Sequence, residues 1–329
     1  MLTNSEIYDI CELHRRSILM KYATRLNSFL NRDGQTLETA LTELGSIDGI
    51  TCVDLNYPQH FAKHTVDQIR VLLENNRLQV NGLGIRFEDD FSDGEFTNRN
   101  YELSQRAETI CMDAVKACRQ LGGKIVTVWQ AFDGFDYPFQ VDYPLAWQTM
   151  VHALQRIADA AAPDILISVE YKPFQPRSFS LVPNMATAML LIEEIGKENV
   201  GITLDFCHML MAGDNPAAAL ALVAAKGRLY GIHLNDGYRL NDDGLMAGSV
   251  HPLQTLEFLF YAIRYNYQNA IFFDTFPIRE DPVEECRQNI QTIERFVNAI
   301  NDIGMGNIES MLRKQSGMTS TEILHRILR

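Results

Sequence analysis

Glu170, Asp205, His233 and Asp274 stand at the ends of four apolar runs, ILISVEYKP, VGITLDFCH, LYGIHLND and AIFFDTFP. As consecutive parallel strands, these runs deliver three carboxylates and one imidazole to one mouth. Carboxylates about 4 Å apart repel by on the order of 4 kcal/mol per pair at an effective dielectric of about 20. A divalent cation is the simplest counter-charge. Lys172 shares a strand face with Glu170, since side chains alternate. An isolated Glu-x-Lys reads as a buried salt bridge. Four polar strand ends at one depth point to metal instead, and leave the Lys172 ammonium to donate to a substrate carbonyl or hydroxyl oxygen.

His208 follows Asp205 by three, an odd offset that assigns it to the loop after the strand. The loop NDGYRLNDDGLMAG brings Asp236, Asn241, Asp242 and Asp243. It reads by default as a solvated turn. With His208, and with Asp205 as a bridge, one or both of Asp242 and Asp243 can build a second metal position. Oxygen-dominated ligation with one nitrogen suits manganese, with magnesium or cobalt as alternatives. Cys207 is not expected to ligate, because a hard-oxygen site disfavours sulfur.

Trp129, with Gln130 and Asp133 after it, is placed to wall a polyhydroxylated ligand, whose C–H faces stack on aromatic rings while hydroxyls take amides and carboxylates. His60 in DLNYPQHF is a further candidate hydroxyl contact, although a lone histidine is more often structural. The segment TFPIREDP offers a proline and two acids where a phosphate would need backbone donors, so no phosphate seat is expected.

Eight β-rich runs alternate with helix-period stretches: YATRLNSF, GITCVDLN, LQVNGLGIRF, KIVTVWQAF, DILISVEYK, VGITLDF, LYGIHLN and AIFFDTF. That alternation predicts a (β/α)8 TIM barrel with its chemistry at the carboxyl ends of the strands. Asn215–Pro216 marks a helix start, and Gly122, Gly196 and Gly227 mark helix ends. A single domain over 1–329 is expected: an N-terminal helix within 1–20, the barrel over 21–302, and a C-terminal helical extension over 303–329. The apolar face of Asn307–Arg329 would pack on the parent barrel or on a neighbouring subunit, the latter as a homo-oligomer, dimer or tetramer.

The 29 basic and 42 acidic residues give a net charge of -13, which argues against nucleic-acid binding through phosphate neutralisation. No run approaches the roughly eighteen apolar residues of a membrane span, and Met1–Met20 has no secretory apolar core. Cys11, Cys52, Cys111, Cys118, Cys207 and Cys286 show no paired spacing and read as reduced thiols. A cytoplasmic protein is expected.

Glu170-Tyr171-Lys172, Asp205-Phe206-Cys207-His208, His233 and Asp274, in that order, resemble the xylose isomerase-like barrel superfamily. Within it they look like the metal-dependent aldose isomerases of the rhamnose isomerase-like branch. The resemblance implies an aldose–ketose isomerase acting on an unphosphorylated pentose or deoxyhexose of the xylose, rhamnose or apiose type. Hydride would move between C1 and C2, with Lys172, Glu170 and His208 as the catalytic residues. One departure is Asn241-Asp242-Asp243, where the family carries an Asp-x-Asp pair. A ketose 3-epimerase or keto-sugar lyase on the same metal, and a non-catalytic sugar-binding subunit, are the alternatives.

Overall fold

The structure, a computed structural model, describes residues 20–327. Of the helix expected over Asn4–Met20, all but Met20 lies outside them. Ten strands follow in order: β1 (Tyr22–Thr24), β2 (Cys52–Tyr57), β3 (Gln79–Ile85), β4 (Ile125–Trp129), β5 (Gly134–Phe135), β6 (Leu166–Glu170), β7 (Phe179–Ser180), β8 (Val200–Asp205), β9 (Leu229–Leu234) and β10 (Ile271–Phe273). Eight form one sheet in the order β1-β10-β9-β8-β6-β4-β3-β2, with β5 and β7 set apart as an antiparallel ribbon. Parallel bridges Tyr22–Ile50 and Arg25–Asp54 bring β1 back to β2, so the sheet curls into a nearly closed (β/α)8 barrel.

Val, Ile and Leu are the commonest residues of the barrel strands because both barrel faces are covered. Ile167, Val169, Ile202 and Leu204 point outward under the helices and are buried there. Helix boundaries follow local chemistry. Asn215 accepts a hydrogen bond from the Ala218 N–H (2.9 Å) ahead of Pro216–Ala225, and Gly196 closes Met185–Ile195 at φ 65°, a backbone glycine adopts without strain.

Two differences from the sequence reading have physical causes. The run YATRLNSF stays extended only to Thr24; Asn27–Leu30 is a helical turn, because Leu26 and Phe29 are both buried and three residues apart put them on one side. The tail divides into Met305–Arg313 and Met318–Ile327. Ile308 and Ile323 join the core, and they border the same cavity as Leu256 and Phe260 of helix Pro252–Arg264, so the tail packs on its own barrel. No helix among the described residues is long and apolar enough to cross a membrane.

Candidate metal centre

Four neighbouring strands carry the four residues. Glu170 ends β6, Asp205 ends β8, His233 pairs with Asp205 in the β8–β9 register, and Asp274 directly follows β10. One ligand atom from each lies within 4.8 Å of the others. Two residues earlier on each strand, hence one layer deeper on the same face, are Ser168, Thr203, Gly231 and Phe272. Ser168 and Thr203 hydroxyls meet at 2.6 Å, and the Phe272 ring lies 4.7 Å from that of His233. A Cβ on Gly231 would sit 2.4 Å from the Thr203 hydroxyl, so glycine is what lets Thr203 fill the floor.

Asp205 has two structural duties. Its Oδ1 accepts from the His208 backbone N–H (2.8 Å), capping helix Phe206–Ala212, and its Oδ2 accepts from Asn235 Nδ2 (3.0 Å). His208 is thus the third residue of a helix and not part of a loop: a capping carboxylate reaches the N–H three residues on, which is the physical content of Asp-x-x-His. Asn235 Nδ2 also donates to the Asp274 carbonyl oxygen (3.1 Å), tying β8 to β10.

The His208 imidazole reaches across the mouth. Its Nδ1 is 3.5 Å from Glu170 Oε1, and its Nε2 is 3.2 Å from Asp242 Oδ2. Asp205, His208 and Asp242 form a second group of converging ligand atoms, sharing Asp205 with the first. His233 Nδ1 stands 3.3 Å from Glu170 Oε1. Yet His233 Nδ1, His208 Nδ1, Asp242 Oδ1 and Asp274 Oδ1 are buried without a hydrogen-bond partner. Such atoms are costly unless something coordinates them. Unpaired oxygens and imidazole nitrogens facing one point fit a hard or borderline divalent cation.

The electrostatics carry the same signature. Burial raises the Glu170 carboxyl pKa, but the imidazoles of His233 and His208 outweigh it and hold the group well below its ordinary range. Burial lifts Asp205 to about 7; His208 opposes, while Asp242, Glu170 and Asp274 add to the lift. In His208 and His233 burial favours the neutral ring, but Asp205 and Asp242 around the first and Glu170 and Asp274 around the second push both up to about 9. Protons, in other words, sit where positive charge is needed.

Lys172 is buried and donates to Asp242 Oδ2 at 3.0 Å, with its Nζ also 5.1 Å from the centroid of Trp129. Its ion partner is therefore Asp242 and not Glu170. Three expected positions turn elsewhere. Asp243 Oδ2 accepts from the Tyr238 N–H (2.6 Å) and serves its own loop. The buried Asp133 accepts from the backbone N–H of Glu95, Phe96 and Thr97 and from the Thr97 hydroxyl, so it clamps the loop after β3 and faces no sugar. His60 Nδ1 accepts from the Asn56 N–H (2.9 Å) and Nε2 meets Asn27 Oδ1 (2.7 Å), which occupies both ring nitrogens. Burial, then Arg86 and Arg25, lower its pKa to about 4. Asp236 likewise accepts from Val250 and His251 N–H groups and binds His251 Nδ1 (2.8 Å).

Sequence reasoning missed Asn235, Arg25 and Arg86. Arg25 follows β1, with Nε 3.5 Å from Asp274 Oδ1, and Arg86 follows β3, with Cζ 5.2 Å from the Trp129 centroid. The strand-end criterion that singled out acids would have found both, had it been applied to basic residues.

Comparison with known proteins speaks to the family and the fold. Residues 40–296 match the family described as xylose isomerase-like TIM barrel. A probable sugar isomerase from Rhizobium meliloti is 27% identical over 146 residues, 43% of this chain and 32% of that protein. Xylose isomerase from Thermus thermophilus is 28% identical over 206 residues, 59% of this chain and 51% of that protein. The chain thus spans about half or less of the length of these relatives. Among solved structures, a xylose isomerase domain protein from Alicyclobacillus acidocaldarius has TM-score 0.67 at 18% identity, covering 85% of this chain and 98% of that one. An L-ribulose 3-epimerase also has TM-score 0.67, at 15% identity, covering 86% and 96%. These two likenesses concern the fold.

Proposed function

Because the chain belongs to the xylose isomerase-like TIM barrel family, we propose that it is a divalent-metal-dependent aldose–ketose isomerase. Its substrate in this reading is an unphosphorylated sugar of pentose or deoxyhexose size, of the xylose, rhamnose or apiose type. Glu170, Asp205, His233 and Asp274 would hold one cation, and Asp205, His208 and Asp242 a second. Manganese is preferred, with magnesium or cobalt as alternatives, and such a cation supplies Lewis acidity toward adjacent sugar oxygens. We assign the protein to the cytoplasm, consistent with the five free, buried cysteines of the described residues.

The observation that carries the isomerase reading is the buried ammonium of Lys172, 3.0 Å from Asp242 beside the ligand cluster. Lys172 would hand its hydrogen bond from Asp242 to the carbonyl oxygen at C1, stabilising negative charge there as hydrogen passes between C1 and C2. Glu170, fixed between two imidazoles, and His208, fixed by its place on a capped helix, keep the sugar oxygens in register. Trp129 closes one side against water.

The test is a screen of free pentoses, hexoses, deoxyhexoses and their uronic acids with manganese, magnesium and cobalt, read by NMR for aldose-to-ketose conversion, with Lys172→Met alongside. The isomerase reading expects conversion by the native protein and a loss of about a hundredfold or more in Lys172→Met. A ketose 3-epimerase would invert C3 of a ketose and would keep its rate in that variant. Conversion of no sugar in the panel would remove the isomerase reading.

A further inference from the structure

Two guanidiniums stand at the mouth on the side away from the metal ligands of β6, β8 and β9. Arg25 directly follows β1 and its backbone forms a parallel bridge with that of Asp54 in β2; Arg86 directly follows β3, and its backbone N–H donates to Tyr57 O of β2 (3.0 Å). The two therefore flank a single strand at the same rim. Arg25 Cζ stands 4.6 Å from the centroid of Phe276, and its Nε is buried without a hydrogen-bond partner. Arg86 leans over Trp129, the ring that also carries Lys172.

Arg86 is the anomaly. Among the described residues, every other arginine is either exposed or engaged in an ion pair; Arg86 is half-buried, and its guanidinium makes neither a hydrogen bond nor an ion pair. A partly desolvated, unpaired charge is costly to keep. The surrounding charges answer it only at a distance: the carboxylate that feels Arg86 is Glu170, which already faces the His208 and His233 imidazoles. Lys172 is matched to Asp242, and the carboxylate Arg25 approaches, Asp274, is one of the converging ligands.

Resting on the isomerase reading, we propose that Arg25 and Arg86 seat a carboxylate at the end of the sugar opposite its carbonyl, so that the substrate is a sugar acid. For an aldose–ketose isomerase this means an aldose with a carboxylate on its last carbon, a uronate. A phosphate shares the charge but fits less well. Exposed Glu88, Asp89 and Asp90 follow Arg86 in the same loop and would repel a dianion more than a monoanion.

Matched sugars that differ only at the last carbon test this. Calorimetric titration of the manganese-loaded protein compares glucose, glucuronate and glucose 6-phosphate, and likewise galactose and galacturonate, against the native chain, Arg86→Met and Arg86→Lys. At least one uronate should bind about tenfold or more tighter than its neutral partner, as a charge-assisted pair implies. Arg86→Met should bring that ratio to about one, and Arg86→Lys should restore part of it. If no uronate outbinds its neutral partner, the proposal is overturned. It is also overturned if the preference survives in Arg86→Met, since the charge is then read by the bound cation, or if the phosphate ester binds tightest. Turnover is followed separately by NMR: an Arg86-dependent preference without conversion of any sugar would fault the isomerase reading and leave the carboxylate seat standing.

Discussion

Buried acids and histidines occur on both sides of the barrel mouth, and their surroundings differ. On the β3–β4 side, Asp133 and Glu95 exchange backbone hydrogen bonds: Asp133 accepts from Glu95, Phe96 and Thr97, while Glu95 accepts from Phe132 and Asp133. His60 has both ring nitrogens occupied. On the β6–β10 side the same residue types leave His233 Nδ1, His208 Nδ1, Asp242 Oδ1 and Asp274 Oδ1 without partners. Burial and residue type are alike in the two regions. What separates a scaffold from a site is whether the polar atoms are spent on the chain itself.

Substitution on each side should break in a different currency. Glu170→Gln keeps the shape and removes the charge facing two imidazoles, so turnover should fall by about a thousandfold or more with metal content well below stoichiometric. Steady-state kinetics and elemental analysis check it; an active variant with normal metal content would end the ligand assignment. Asp133→Ala should act on folding. It strands three backbone donors, at about 1–3 kcal/mol each if left unsatisfied, so denaturant unfolding should show a loss of about 3 kcal/mol or more. Folded Asp133→Ala should still bind metal. A protein that kept its stability but lost its metal would erase the contrast.

The barrel was legible because period and punctuation are local: apolar runs, Asn215 before Pro216, and glycines at helix ends. The converging ligands were legible for a related reason, since the carboxyl end of a strand fixes where its last side chain goes. Asp133 was misread because its partners lie some forty positions earlier, in a loop with no periodicity to betray it. Asp243 was misread because a turn decides which of two adjacent acids faces inward, and that depends on Asp243 binding the Tyr238 N–H. His208 looked like a loop residue because a seven-residue helix starts where the strand ends. Arg25 and Arg86 went unread because a basic residue at a strand end reads as solvated until the fold shows what desolvates it.

The pH dependence of stability separates the two regions without any substitution. In chelated protein, His208 and His233 have pKa values raised to about 9. Their contribution is full below the ordinary imidazole value, about 6.5, and is lost as pH rises through 9. Asp205, raised to about 7, likewise favours the folded state when protonated and loses that contribution as pH climbs through 7. All three trends run the same way, so chelated protein should melt at progressively lower temperature from pH 6 to pH 9. The scaffold side has the same sign, because burial raises Glu95 and Asp133 as well, and a simple profile would mix the two regions. Bound metal replaces the site's protons and leaves Glu95 and Asp133 untouched. The gap between metal-loaded and chelated melting temperatures therefore cancels the scaffold and isolates the site. It should widen by about 2 °C between pH 6 and pH 9, the shift that about 1 kcal/mol produces in a domain of this size. Scanning calorimetry at three pH values measures it, and a gap independent of pH would mean that the converging carboxylates and imidazoles are not what the metal holds.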